Sequence, residues 1–212
     1  MKISSSIKQY GIVNSSKRII KAILRRLGVD IESFWYLENT IDIKVINAKM
    51  LLRNYDDVRE LTLRDFENID SEIYSKDKYH LIKSRFKNGK YWCYGVFSDD
   101  KLVYLCWINN SNINYPSRFK KSSVLKPNQG LLEDAYCHSA YRGKGLHSKM
   151  NLYRLSELYK KGVDKVGVLV LIENTPALKT QLKSGLKKHK KITFLKLFGK
   201  QYYFEKKIND TN

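Results

Sequence analysis

A short basic turn with two glycines is the part of this sequence best suited to chemistry. It reads Tyr141-Arg142-Gly143-Lys144-Gly145 and joins a strand-like run, 131–137, to a helix-like run, 146–161. Glycine lets backbone N–H groups approach an anion, and the N-terminus of a helix adds partial positive charge. With the full charges of Arg142, Lys144 and Lys149 added, the segment is a candidate pyrophosphate site.

The glycine spacing excludes two common phosphate-binding loops. The segment lacks the G-x-x-x-x-G-K-[ST] pattern, and Gly143 and Gly145 lack the third glycine of G-x-G-x-x-G. On the residues alone, two interpretations therefore stay open, a phosphate site and a plain strand–helix connection.

Two segments resemble a known family. The run from Cys137 to Gly145 resembles the end of the fourth strand and the acetyl-CoA turn of the GCN5-related N-acetyltransferases (GNAT), whose signature is [QR]-x-x-G-x-[GA]. Arg142 and Gly145 match the signature, whereas His147 replaces its final small residue. The segment 174–178, followed by Gly-Leu at 185–186, is similar to the asparagine–helix segment of the same family. The resemblance covers residues 41–208.

This resemblance implies an enzyme that uses acetyl-CoA as cosubstrate, with an acceptor amine that attacks the thioester directly. It implies that the CoA arm bonds to the backbone of Ala135 and Cys137 and that Asn174 contacts the pantetheine. It also implies that the pyrophosphate is held by the residues of the turn and the first helical turn, which are Arg142, Gly143, Lys144, Gly145, Leu146 and His147.

Two carboxylates are candidate bases for the acceptor amine. Strand alternation places Glu133 on one face with Ala135 and Cys137, and Asp134 on the other. Glu173, which precedes Asn174, is the second candidate. The alternatives are a carboxylate paired with a lysine for Glu133 and a helix N-terminal acid for Glu173.

The general acid is not identified by the sequence. Many relatives in the family have a tyrosine where this chain has Gln181, which cannot supply a labile proton. Another tyrosine, such as Tyr202 or Tyr203, could reach the site, or the thiolate could leave without a protein acid. Inactivity as an acetyltransferase is the remaining alternative.

The order of elements predicts an α/β fold. Its GNAT-like form has a mixed, mostly antiparallel central sheet flanked by helices, with a short helical N-terminal extension. The pattern predicts a first strand near 43–46, helices over 55–66 and 71–86, a hairpin of 91–97 with 102–108, a loop over 109–130, and a terminal hairpin of 191–198 with 201–208.

Two domains are predicted, an N-terminal extension over 1–40 and a GNAT-like acyltransferase domain over 41–212. The extension contains a basic amphipathic helix, Lys17–Leu27, which could lie on an anionic membrane or pack on the domain. The aromatic run 34–37 is interpreted as a hydrophobic clasp beside it.

The net charge of +19 allows anionic partners. Much of it is attributed to a lysine-rich composition, so a nucleic acid is not expected as a partner. The alternative function is a basic nucleic-acid- or membrane-surface-binding protein without transferase activity. No metal site is expected, because the three cysteines are isolated. We expect a cytoplasmic protein that can touch the inner membrane face peripherally.

Overall fold

The structure, a computed structural model, describes residues 12–67 and 78–208. Over these residues the helices are α1 (Ile12–Arg26), α2 (Ile43–Met50), α3 (Tyr79–Asn88), α4 (Leu146–Lys160) and α5 (Thr175–Lys183). The strands are β1 (Val29–Thr40), β2 (Val58–Leu61), β3 (Tyr91–Ser98), β4 (Lys101–Asn109), β5 (Asn112–Asn114), β6 (Ser122–Val124), β7 (Gln129–Cys137), β8 (Lys165–Leu171), β9 (Lys187–Leu197) and β10 (Lys200–Lys207).

The chain divides into two compact units. The first unit contains residues 12–39, 114–122 and 167–208, and the second contains residues 40–67, 78–113 and 123–166. The boundary predicted at residue 40 stays a prediction, and residues 29–40 form a strand of which all but the last residue belongs to the first unit. The predicted helix over 17–27 is confirmed as α1, which begins earlier, at Ile12.

In the second unit the strands follow the order β7-β4-β3-β2, and each neighbouring pair is antiparallel. The predicted hairpin is confirmed as β3 and β4, whose turn residues Asp99 and Asp100 have positive φ angles of 49° and 58°. On one face of this sheet, Trp107 of β4 packs in a cluster with Phe66 and with Ile82 of α3. The burial of these side chains supplies much of the stability of the unit.

Two predictions of local structure in the second unit are wrong. Residues 43–46 form a helix rather than a strand, because the Asp42 side chain accepts a hydrogen bond from the Val45 N–H at 3.1 Å and caps α2. The predicted helix over 55–66 is replaced by β2, which pairs with β3, and by a 3-10 helix, Leu63–Phe66. Strand pairing outweighs the local helical pattern there.

Other predictions in this region hold in part. Residues 71–77 of the helix expected over 71–86 lie outside the described residues, and the second half of the prediction is confirmed by α3. The expected loop 109–130 contains the short strands β5 and β6 and a 3-10 helix, Ser117–Phe119.

In the first unit the strands follow the order β10-β9-β1-β8. β9 is antiparallel to both β1 and β10, which confirms the terminal hairpin. The aromatic run 34–37 is not a clasp beside the domain, since it lies inside β1. Phe34 is buried, and Phe194 of β9 stacks on Phe119 with ring centroids 4.6 Å apart. The fold class is α/β with mostly antiparallel strands flanked by helices, as predicted.

Candidate functional site

The connection from β7 to α4, here called the α4 junction (residues 138–148), is an open glycine turn. It passes through a 3-10 helix, Ser139–Tyr141, and then through Gly143 and Gly145 at φ angles of 81° and 77°. A Cβ atom at either glycine would meet no atom of the described residues within 4 Å. Glycine is therefore needed for the backbone angle alone, and the space beside the turn is open.

Helix α4 begins at this turn without a side-chain cap. Gly145 is the N-cap residue, and among the described residues no side chain bonds to the first turn as its cap. The sequence of that first turn, Leu146–Lys149, carries no acid. Backbone N–H groups at the start of a helix have no partner within the helix, and they carry the positive end of its dipole. The junction can therefore accept an anion.

Two of the three predicted cations stay at the surface of the junction. Arg142 and Lys144 are exposed. The Arg142 Nε donates to the Cys137 carbonyl oxygen at 3.2 Å, and the Lys144 Nζ lies 4.5 Å from the centre of the Tyr141 ring. The ammonium group of Lys149 forms an ion pair with Asp57, and its role at an anion site stays a prediction.

His147, where the family signature has a small residue, directs its imidazole towards β4. Its Nδ1 atom lies 2.8 Å from the hydroxyl oxygen of Tyr104. Burial, with a smaller contribution from the Arg154 charge, lowers the pKa of His147 to about 4. The imidazole is therefore neutral at pH 7, and its size is accommodated against Tyr104, which is fully buried.

Strand β7 contains a bulge that overturns the predicted alternation. Ala135 lies opposite Cys106, whereas Glu133 lies opposite Trp107, so Asp134 is an extra residue in β7. Cys106 and Trp107 are consecutive and point to opposite faces of the sheet. The prediction that Glu133 shares a face with Ala135 and Cys137 is therefore wrong.

The bulge is held by a residue that the sequence analysis missed. Arg154 of α4 is 1% exposed, and its Nη1 donates to the carbonyl oxygens of Glu133 at 3.2 Å and Trp107 at 3.4 Å. Its Nη2 donates to the Asn151 side chain. The sequence signal that could have identified Arg154 is its position four residues after Met150, on the buried stripe of an amphipathic helix.

The predicted base Glu133 belongs to an ion-paired cluster. The Nη2 atom of Arg85, from α3, lies 3.0 Å from the Glu133 carboxylate and 2.8 Å from the Asp134 carboxylate. The side chains of Arg85 and Glu133 are each 9% exposed, whereas that of Asp134 is 62% exposed. A proton taken up by Glu133 would weaken a buried ion pair. Because its side chain is far more exposed, Asp134 is the more accessible carboxylate of the cluster.

Ala135 and Cys137 lie on the strand segment between the bulge and the turn. Ala135 is exposed, and Cys137 lies opposite Tyr104. Burial raises the pKa of the Cys137 thiol, and the Arg142 charge only partly opposes this. The thiol is therefore protonated at neutral pH and poorly suited to act as a nucleophile.

The remaining predicted site residues, Glu173 and Asn174, belong to the first unit. Glu173 is buried and forms an ion pair with Lys21 of α1. The Asn174 side-chain oxygen accepts a hydrogen bond from the Ala177 N–H at 3.3 Å and so caps α5. Gln181 is buried in α5. The Tyr203 hydroxyl donates to Glu205, and burial first and then this bond raise the pKa of Tyr203.

Within residues 12–67 and 78–208, no group of three or more His, Cys, Asp or Glu residues could hold a metal ion. None of the helices described in those ranges is both long enough and apolar enough to cross a membrane.

Sequence comparison finds no matching family model and no matching curated protein. A tandem GNAT protein from the clavulanic acid biosynthesis pathway is similar in structure, with a TM-score of 0.56, 14% identity, and coverage of 90% of this chain and 59% of that one. A functionally unknown conserved protein from Staphylococcus epidermidis ATCC 12228 has a TM-score of 0.53, 12% identity, and coverage of 84% of this chain and 66% of that one.

The chain thus spans less than two thirds of the length of these solved chains, at 59% and 66%. At identities of 14% and 12% the likeness concerns the fold alone. The chain has the GCN5-related N-acetyltransferase fold.

Proposed function

We propose that this chain is an acyl-CoA-dependent N-acyltransferase. It transfers an acetyl group from acetyl-CoA to a primary amine on a small-molecule or sugar-type acceptor. The observation that carries the proposal is the α4 junction, where an uncapped helix N-terminus, two glycines with positive φ and two exposed cations adjoin a bulged strand.

The pyrophosphate of acetyl-CoA would lie against the α4 junction. The backbone from Gly143 to His147 would donate hydrogen bonds, and the side chains of Arg142 and Lys144 would balance the negative charge. The backbone of Ala135 and Cys137 would bond to the pantetheine arm on the thioester side. Asn174 is proposed as a further contact to that arm, through the part of its amide that does not cap α5.

In the proposed reaction the neutral amine attacks the thioester carbonyl carbon directly. The C–N bond forms, the C–S bond breaks, and the amine loses one proton while the CoA thiolate gains one. The products are an amide and free CoA. The CoA thiolate is a good leaving group, so the reaction does not require a tyrosine at the position of Gln181.

We propose that the Arg85–Glu133–Asp134 cluster receives the amine proton, directly or through water. Glu133 is the base expected from the sequence, and Asp134 shares the same Arg85 nitrogen at greater exposure. Two carboxylates on one guanidinium can attract an ammonium-bearing acceptor and accept its proton. Glu173 is retained as a second candidate base, although it would first have to leave Lys21.

Calorimetric titration with acetyl-CoA tests the proposal most directly. The wild-type chain should bind with saturation, and the double variant Arg142→Glu, Gly145→Asp should lose binding, because it reverses the charge at the helix N-terminus. Absence of binding by the wild type to acetyl-CoA at millimolar concentration and to other acyl-CoAs would overturn the proposal.

If acetyl-CoA binds, thiol release with a panel of amines measures turnover. Glu133→Gln, Asp134→Asn and Glu173→Gln should then be compared at several pH values. The variant that lacks the base should lose its rate by about 100-fold or more and lose the acidic limb of the pH–rate profile. A variant that only disturbs the fold would lower the amount of active protein without changing the profile.

A basic binding module without transferase activity is the second candidate. The run 179–207 carries ten lysines and one acid. Nucleic-acid binding with a steep salt dependence, together with the absence of acyl-CoA binding, would favour this alternative. A cytoplasmic location with peripheral contact at an anionic membrane is compatible with either function.

A further inference from the structure

Helix α1 contacts the rest of the first unit through charged side chains. Lys21 forms an ion pair with Glu173, and the Arg25 Nε lies 3.2 Å from the Asp30 carboxylate. Both acids are nearly inaccessible, at 7% and 5% exposure. The polar side of the helix at Lys21 and Arg25 therefore faces the protein, which is the reverse of the usual arrangement for an amphipathic surface helix.

The apolar side of α1 consequently faces outward. Ile19, Ile20, Ile23 and Leu27 are 49%, 56%, 54% and 65% exposed. Their spacing places them along one side of the helix, opposite Lys21 and Arg25. Single exposed apolar residues are ordinary, but a continuous stripe of this kind marks an interaction surface.

The tip of the β9–β10 hairpin extends this stripe. The Phe198 N–H donates to the Gly28 carbonyl oxygen at 2.9 Å, directly after Leu27. Phe198 is 82% exposed, and a Cβ atom at Gly28 would lie 3.2 Å from its ring. An aromatic side chain is thus presented beside the end of α1.

Positive charge surrounds the apolar residues. Lys17 and Arg26 of α1 and Lys200, which follows the hairpin tip, are exposed. The sequence of α1 contains no aspartate or glutamate. An apolar stripe bordered by cations matches the boundary between lipid headgroups and acyl chains in an anionic bilayer.

We propose that this surface, formed by Ile19, Ile20, Ile23, Leu27 and Phe198, docks the protein on an anionic lipid bilayer. α1 lies in the interface plane, and Phe198 inserts beside its C-terminal end. A second copy of the chain is the less favourable occupant, because a symmetric contact would bring Lys17, Arg26 and Lys200 of both copies together. A lipid surface satisfies the apolar stripe and the cations at the same time.

Co-sedimentation of the full chain with vesicles tests the proposal. Vesicles of phosphatidylcholine containing about one third phosphatidylglycerol should bind the protein, whereas pure phosphatidylcholine should bind it at least about tenfold more weakly. The variants Ile20→Ser with Ile23→Ser, and Phe198→Ser, should each lower binding to the anionic vesicles by about tenfold or more. Arg26→Glu should lower it as well and should weaken its salt dependence.

Leu52→Ser is the matched control, because Leu52 is an exposed leucine, at 84%, in the other unit. It should leave vesicle binding unchanged. Thermal unfolding should be unaffected by all of these exposed substitutions. Acetyl-CoA binding measured without lipid should also be unchanged, which would separate this surface from the proposed active site.

Several results would overturn the proposal. One is failure of the wild type to bind anionic vesicles, and another is equal binding by the apolar variants and the wild type, which would indicate a purely electrostatic basic surface. A lipid-independent dimer in analytical ultracentrifugation that Ile23→Ser dissociates would instead assign the stripe to a second copy.

Discussion

Two of the strand-to-helix connections, from β7 to α4 and from β8 to α5, end differently. At the connection from β8 to α5, here called the capped junction, the Asn174 side chain caps the helix and Pro176 lies in its first turn. At the α4 junction, Gly145 stands at the cap position with a φ of 77°, and no described side chain caps the helix. One helix N-terminus has a side-chain cap, whereas the other has none and can accept an external anion. The difference indicates which connection a ligand would use.

The largest effect is expected from a negative charge at the open junction. Gly145→Asp should weaken acetyl-CoA binding about 1,000-fold, roughly 4 kcal/mol, because a carboxylate would repel the pyrophosphate and strain the backbone. Gly162→Asp is the matched control, since Gly162 has a φ of 79° and an equally open surrounding at the other end of α4. Calorimetry should show near-normal affinity for this control. Equal losses in both variants would remove the distinction between the two ends.

The next effect concerns the strand that leads into the open junction. Arg154→Ala should lower the free energy of unfolding by about 3 kcal/mol, because it leaves a cavity and two carbonyl groups of the bulge without their donor. Chemical denaturation measures the loss. Arg59→Ala, which removes an arginine with a 60% exposed side chain, should cost less than about 1 kcal/mol. Similar losses for the two variants would show that Arg154 does not hold the bulge.

The two helices should also differ in how their contribution to stability depends on pH. The second residue of α4 is His147, which can bind a proton, whereas that of α5 is Pro176, which cannot. The pKa of His147 falls from 6.5 to about 4 in the folded protein. Between these pH values the unfolded chain binds a proton that the folded protein does not, so stability decreases as the pH falls. The contribution should be about 2 kcal/mol, after allowing for the partial exposure of the imidazole.

The measurement is chemical denaturation at several pH values between 4 and 7. His147→Gln should flatten the curve over this range, while the wild type loses stability towards pH 4. An unchanged pH dependence in the variant would show that His147 does not carry this titration.

The smallest effect is expected at the capped junction. Asn174→Ala removes the side-chain acceptor for the Ala177 N–H and should lower stability by about 1 kcal/mol. Asn174→Asp keeps a capping oxygen and should restore that stability. If Asn174 also contacts pantetheine, the alanine variant will lose acetyl-CoA affinity beyond the change in stability, and unchanged affinity would restrict this residue to capping.

Much of the fold was predictable because it depends on local patterns. The β3–β4 hairpin, the glycine turn, α4 and the terminal hairpin follow from alternation, turn residues and helical periodicity. The first strand was misplaced because Asp42, a helix cap, precedes an apolar group short enough to fit a strand. β2 was missed because its pairing with β3 is a contact that the local sequence does not record.

The sequence by itself determined the glycine turn, its cations and the helix that follows, since these depend on residue types a few positions apart. Only the tertiary structure decided the face on which Glu133 lies, because one extra residue in β7 reverses the alternation. It also decided that Arg85 joins Glu133 to Asp134, that Arg154 holds the bulge, and that α1 turns its apolar side outward. Each of these depends on partners far away in the chain, and pairing between distant residues cannot be inferred from spacing alone.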